Sequence, residues 1–135
     1  MTSDTVVLDS SALVAIFKAE TDGRRTVERI GSSQRKVLSA ATWLEAAIVC
    51  ESASAHSGGG ADLDQLVSDL GVEIISVTPE QAALAFEAFK QFGKGRGTKA
   101  ALNFGDCFVY ALAKELGAPL LFKGRDFAHT DLQPA

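Results

Sequence analysis

The chain has 135 residues, 47% of them hydrophobic, and a formal net charge of -4. That length and apolar content fit one globular domain spanning 1–135 and exclude a disordered chain. The acidic balance excludes a general attraction to nucleic acid, while leaving room for a local basic patch that holds a nucleic-acid backbone.

No apolar run reaches membrane-spanning length, and no basic segment leads into an apolar one after Met1-Thr2-Ser3-Asp4. Cys50 and Cys107 lie far apart and suit buried thiols in a reducing compartment, so a cytoplasmic protein is expected. His56 and His129 are isolated, and two Cys with two unpaired His argue against a zinc site.

In chain order, Thr5-Val6-Val7-Leu8 reads as a short buried strand that ends at Asp9. Ser10 and Ser11 follow, then a helical core segment, Ala12 to Phe17. Asp9 therefore stands either at a strand's carboxyl end, where open α/β sheets keep their sites, or at a helix cap. Ser11 would orient Asp9 or a bound water, or serve the helix start. A solvated helix is predicted over Thr21 to Ile30, and a second strand over Lys36 to Ser39. The next helix opens at Ala40-Ala41-Thr42, where Thr42-x-x-Glu45 has the form of a capping box. Glu45 also shares a stripe with Ile48 and Val49, which turns it toward the core or a cleft.

His56-Ser57-Gly58-Gly59-Gly60 reads as a loop between helices, since no Lys-Ser or Lys-Thr pair follows it as a phosphate loop requires. A short amphipathic helix over Asp62 to Leu70 and a third strand over Val72 to Val77 are expected. Thr78-Pro79-Glu80 starts a helix that is expected to bury Ala82, Ala83, Phe86 and Phe89. Phe92 to Lys99 is a glycine-rich basic loop. Its Lys94, Arg96 and Lys99 form either a phosphate clamp or an ordinary solvated connection.

Leu102-Asn103-Phe104-Gly105-Asp106-Cys107-Phe108 opens a helix whose stripe is Asp106, Val109, Tyr110 and Ala113. An aspartate heading an apolar stripe is expensive to bury. It acts as a cap beside Asn103, or it faces a cation. Gly117-Ala118-Pro119 then makes a turn before a fourth short strand, Leu120 to Phe122, and the acid Asp126 comes soon after. The tail, Ala128 to Leu132, is expected to add a short edge strand.

Strands alternating with helices predict a three-layer α/β/α domain with a largely parallel sheet. Asp9 and Asp126 would then lie on the carboxyl edge of the sheet, with Glu45 and Asp106 in the first turns of helices that start there. Four converging carboxylates repel one another unless a cation joins them. Oxygen ligands without paired His or Cys point to Mg2+, with Mn2+ as the alternative, and to phosphodiester hydrolysis.

Asp9-Ser10-Ser11-Ala12-Leu13, Glu45, the run 102–108 and Leu121-Phe122-Lys123-Gly124-Arg125-Asp126-Phe127 together resemble, in order, the acidic motifs of PIN-domain ribonucleases, VapC-type toxins above all. The resemblance implies Mg2+-dependent endonucleolytic cleavage of RNA, a VapB-type antitoxin that blocks the cleft, and a homodimer. It also implies that Asp9 and Asp106 are the principal metal ligands, with Glu45 and Asp126 as the remaining acids and Ser11 as the hydroxyl beside the first. On this reading metal-assisted hydrolysis needs no side-chain nucleophile. A receiver-like signalling domain would need an acceptor Asp after the third strand, where Ser76-Val77-Thr78 stands. A haloacid-dehalogenase-like phosphatase would need Asp at Ser11. A non-catalytic binding domain, with acids that only cap helices, is the remaining alternative.

Overall fold

The computed structural model describes residues 4–54 and 58–135. The first to fourth predicted strands all form. β1 (Thr5–Leu8), β2 (Arg35–Ser39), β3 (Glu73–Ile75) and β4 (Leu120–Leu121) make a parallel sheet in the order β3-β2-β1-β4. Among the described residues six helices accompany them: α1 (Ser10–Phe17), α2 (Gly23–Gly31), α3 (Ala40–Ala53), α4 (Gly59–Asp69), α5 (Pro79–Phe92) and α6 (Phe104–Leu116). None is long and apolar enough to cross a membrane.

Successive strand residues point to opposite faces, and each face has its own core. Val6, Leu8 and Leu38 pack with Leu13, Ala46, Cys50 and Leu63 on the face that carries α1, α3 and α4. Val7, Val37 and Leu120 pack with Ala88, Val109 and Leu112 on the face that carries α5 and α6. This is the predicted α/β/α layering. It explains why β1 reads as a continuous apolar run: both of its faces are buried.

Local chemistry sets the helix starts. Ser39 caps α3 by accepting from the Ala41 N–H at 3.3 Å. Thr42 is therefore not the cap that its spacing to Glu45 suggested; it is buried in the first turn, and Glu45 stands in the second turn. Thr78 caps α5 with Pro79 at its first position, as expected. Gly117, at φ 61, ends α6 in the left-handed conformation that suits glycine.

Three expectations change. β3 is only three residues long and lies at the sheet edge, so it is far less buried than its apolar sequence implied. Gly59 and Gly60 belong to α4 rather than to a loop; a side chain at Gly59 would strike the Cys50 carbonyl, so glycine there lets α4 close on α3. Ala55, His56 and Ser57 of that stretch, like Met1-Thr2-Ser3, lie outside the described residues. Finally, α5 buries Gln81, Ala85, Ala88 and Phe92, while Ala82, Ala83, Phe86 and Phe89 stay exposed. The helix has two apolar stripes, and packing on α6 selects the other one.

The edge strand expected over Ala128 to Leu132 does not form: those residues make turns, and only an isolated bridge from Pro134 to Leu120 runs beside β4, with Leu120 N–H donating to the Gln133 carbonyl at 2.9 Å. The tail is tied to α6 through Asp131, which accepts from the Tyr110 hydroxyl at 2.6 Å and from Lys114 Nζ at 2.9 Å.

Candidate active site

Asp9 follows β1 directly and is buried at the N-cap of α1. Its Oδ2 accepts from the Ser11 N–H at 3.2 Å and from the Ser11 hydroxyl at 2.6 Å, whereas its buried Oδ1 has no partner. A buried carboxylate oxygen without a donor is costly, and it is the one atom here that caps nothing. Ser11 Oγ also accepts the Lys123 N–H at 2.8 Å. One hydroxyl thus ties the turn after β1 to the loop that carries Asp126.

Asp106 lies at the third position of α6, buried, in a reciprocal capping box with Asn103. Its Oδ2 accepts from the Asn103 N–H at 3.0 Å, while Asn103 Oδ1 accepts from the Asp106 N–H at 2.9 Å. The predicted stripe of Asp106, Val109, Tyr110 and Ala113 is buried throughout.

Asp126 is exposed, in a turn five residues beyond β4 rather than at the strand end itself. Phe122 and Phe127 bracket the turn with ring centroids 5.4 Å apart, and Gly124 makes its bend at φ 102.

Glu45 reaches the group from α3. The Ser10 side chain hydrogen-bonds to it. Its carboxylate also lies against the first turn of α6, where a Cβ on Gly105 would come within 2.7 Å of Oε2 and 2.9 Å of Oε1. Gly105 is the site residue that sequence reasoning missed. The missing signal was a glycine, a poor helix former, in the first turn of a helix whose backbone there has no positive φ.

The acids act on one another. Burial is the largest cause raising the Asp9, Glu45 and Asp106 carboxyls, with Asp126 adding repulsion to each. The Asp9 charge also raises Glu45 and Asp106. Asp106 is pushed up to about 7, despite the Asn103 N–H that favours its charged form. The four sequence-predicted acids are therefore gathered within electrostatic reach of one another. Among the described residues, however, no three His, Cys, Asp or Glu side chains are drawn into a ready-made cation cage.

The donor set fits a hard cation. It is all oxygen, it includes an unpartnered Asp9 Oδ1, and burial, with repulsion from neighbouring acids added, pushes Asp9, Glu45 and Asp106 toward protonation when nothing neutralises them.

The basic loop stands beside the site. It is closed at its base by Lys94 N–H to the Leu102 carbonyl and Leu102 N–H to the Phe92 carbonyl, both 3.0 Å. Lys94, Arg96 and Lys99 are exposed. Arg96 lies over the Phe89 ring at 5.7 Å.

Two apolar grooves flank Phe104. One, of about 450 Å³, includes Ala82, Phe86, Phe89 and Lys94 in its walls. The other, of about 360 Å³, runs along Leu44, Ile48 and Val49 to Glu45 and Gly105.

The PIN domain family model matches residues 6–132 of this chain. A relative named VapC ribonuclease Mb0640, from Mycobacterium bovis, is 43% identical over 127 residues, covering 94% of this chain and 95% of the relative. The fold is similar to the crystal structure of Mycobacterium tuberculosis VapC20, described as a sarcin-ricin loop cleaving toxin, with a TM-score of 0.78 at 15% identity over 96% of this chain and 98% of that one. It is also similar to VapBC2 from Rickettsia felis bound to a promoter DNA fragment, with a TM-score of 0.74 at 16% identity over 96% of each chain. On a family match that spans both ends of the sheet and all four acids, this chain belongs to the PIN-domain family, with VapC ribonucleases as its relatives over nearly its whole length.

Proposed function

We propose that the protein is a divalent-metal-dependent endoribonuclease, the toxin of a VapBC-type toxin–antitoxin pair. The observation that carries this is the meeting of Asp9, Glu45, Asp106 and Asp126 at one edge of a PIN fold, with the Asp9 Oδ1 left unpartnered. Asp9 and Asp106 would hold Mg2+ or Mn2+, directly or through water, with Glu45 and Asp126 completing its surroundings. Bound there, the cation supplies a lowered pKa for water and a polarised phosphoryl oxygen.

The chain's own residues do the rest. Ser11 holds Asp9 in one orientation and keeps the Asp126 loop against it. Glu45 and Asp126 orient the attacking water and accept its proton. Lys94, Arg96 and Lys99 grip the flanking phosphates. No side chain becomes covalently attached to the RNA.

Capping and catalysis are compatible here, because a carboxylate has two oxygens. Asp9 caps α1 with Oδ2 and keeps Oδ1 for the site. The non-catalytic alternative, in which the acids are only caps, leaves that second oxygen without a role.

Two protein partners belong to the same reading. Phe104 is 81% exposed, Phe86 61%, Ile48 57% and Leu44 54%, and they line the two grooves that meet at Phe104, one of which reaches Glu45. Exposed apolar surface of this extent marks an interaction face. It suits a second copy of the chain and an antitoxin segment that lies across the acids. The VapBC2 assembly solved on the same fold supports the antitoxin.

The test is cleavage of a panel of structured RNAs with Mg2+, with Mn2+ and with EDTA. Discrete cuts that EDTA abolishes are expected. Cutting that persists undiminished in EDTA would sink the metal mechanism.

A further inference from the structure

Gly105 occupies an ordinary helical position. It stands second in α6, and its φ is not among the positive values that call for glycine. Alanine there would favour the helix by up to about 1 kcal/mol, so the local backbone gives no reason for glycine. The reason lies across the α3–α6 contact. A Cβ on Gly105 would come within 2.7 Å of Glu45 Oε2, 2.9 Å of Oε1 and 3.0 Å of Cδ. These atoms are the tip of a flexible side chain, so the added methyl would not break the fold; it would move the carboxylate. Glu45 arrives from the second turn of α3, with Ser10 as its hydrogen-bonding partner and Asp9 and Asp126 as its charged neighbours. The bare first turn of α6 also presents the positive end of its helix dipole to that carboxylate.

We infer that Gly105 is a positioning residue: its missing side chain is the seat that holds the Glu45 carboxylate toward Asp9 and Asp126. This rests on the ribonuclease reading above. It goes beyond it by assigning the orientation of one acid to a residue that is neither acidic nor a ligand.

The experiment is a double-mutant cycle of Gly105→Ala with Glu45→Ala, read by thermal melting without metal, by the melting shift that Mn2+ induces, and by single-turnover RNA cleavage. Gly105→Ala alone is expected to melt no lower than the parent. Its Mn2+-induced shift should shrink. Cleavage should fall on the order of a hundredfold, as expected for an ångström-scale misplacement, with the fall in the chemical step rather than in RNA affinity. In the Glu45→Ala background the same substitution should change neither the Mn2+ shift nor the cleavage rate, because its target is gone. Three results would overturn the inference: a Gly105→Ala chain that melts well below the parent, one with the parent's Mn2+ shift and rate, or one whose losses are equal in both backgrounds. A parent that binds Mn2+ with normal coupling to Gly105 yet cuts none of the RNAs would instead count against the ribonuclease reading.

Discussion

At the scale of single residues, Asp106 combines a capping role in the fold with a place among the clustered acids of the candidate site. It completes a capping box that starts α6, yet burial and the charges of Asp126 and Asp9 push its carboxyl up to about 7. The sign of the consequence follows from linkage. Unfolded, the group titrates near its ordinary 3.8; folded and metal-free, it holds its proton to about 7. Between those values the native state binds the proton and the unfolded state does not, so metal-free stability falls as pH rises through that window. Asp106→Asn should remove the Asp106 share of this slope, leaving those of Asp9 and Glu45, because the amide cannot ionise while its oxygen still accepts the Asn103 N–H. Above pH 7 the metal-free variant should be more stable than the parent by on the order of 1 kcal/mol, as is common when a functional site is relieved of strain. Its Mg2+-induced stabilisation should nearly vanish and its cleavage collapse, because a neutral amide is a poor ligand for a hard cation. Melting curves across pH 4–9 with EDTA or Mg2+, beside a cleavage assay, check all three. A variant that keeps the parent's full slope and its Mg2+ shift would remove Asp106 from the metal's surroundings.

Among the elements, the segment between α5 and α6 combines a glycine turn at its tip with a fixed base. Gly95 and Gly97 take positive φ values of 85 and 82, which suit a tight turn of small residues. The Gly93–Leu102 bridge pins the base one residue before Asn103, the cap of α6. Cations on such a segment can approach RNA phosphates without displacing Asp106. Neutralising Lys94, Arg96 and Lys99 together to Gln should weaken RNA binding. It should also flatten the dependence of log affinity on log salt by up to about 2, given roughly 0.7 for each phosphate contact to a single strand. The Mn2+-induced melting shift should be unchanged. Binding isotherms at several salt concentrations measure this. An unaltered slope would make the segment an ordinary solvated connection.

Taken whole, the molecule has a sheet covered on both faces and a band of exposed apolar side chains along the grooves that meet at Phe104. Ile48 is part of that band and contributes nothing to either core. If the band joins two copies, Ile48→Asp should convert a dimer to a monomer in light scattering behind size-exclusion chromatography. The melting temperature measured at dilution should change little, since exposed substitutions usually fall within about 0.5 kcal/mol of neutral. A parent that is monomeric at tens of micromolar would assign the band to the antitoxin alone.

Much of this was legible from sequence because it depends on neighbours a few residues apart. β1 with Asp9 at its end, the Asn103–Asp106 capping box, the Asp106 stripe and the alternation that makes a parallel α/β sheet all rest on local periodicity and capping chemistry. Asp9 and Asp106 could be named because strand-end and buried-helix carboxylates are conspicuous against apolar runs, while Glu45 and the exposed Asp126 rested more on the ordered resemblance to PIN-domain motifs. What only tertiary structure decided are choices between locally equivalent options. α5 has apolar residues on two stripes, and its own periodicity cannot say which one meets α6. Thr42 and Ser39 can both cap, and the turn after β2 selects Ser39. β3 is apolar enough for a central strand, but the strand order leaves it at the edge. Gly105 and Glu45 lie 60 residues apart in the chain, and only the approach of α3 to α6 makes the absence of a side chain at one the seat of a carboxylate from the other.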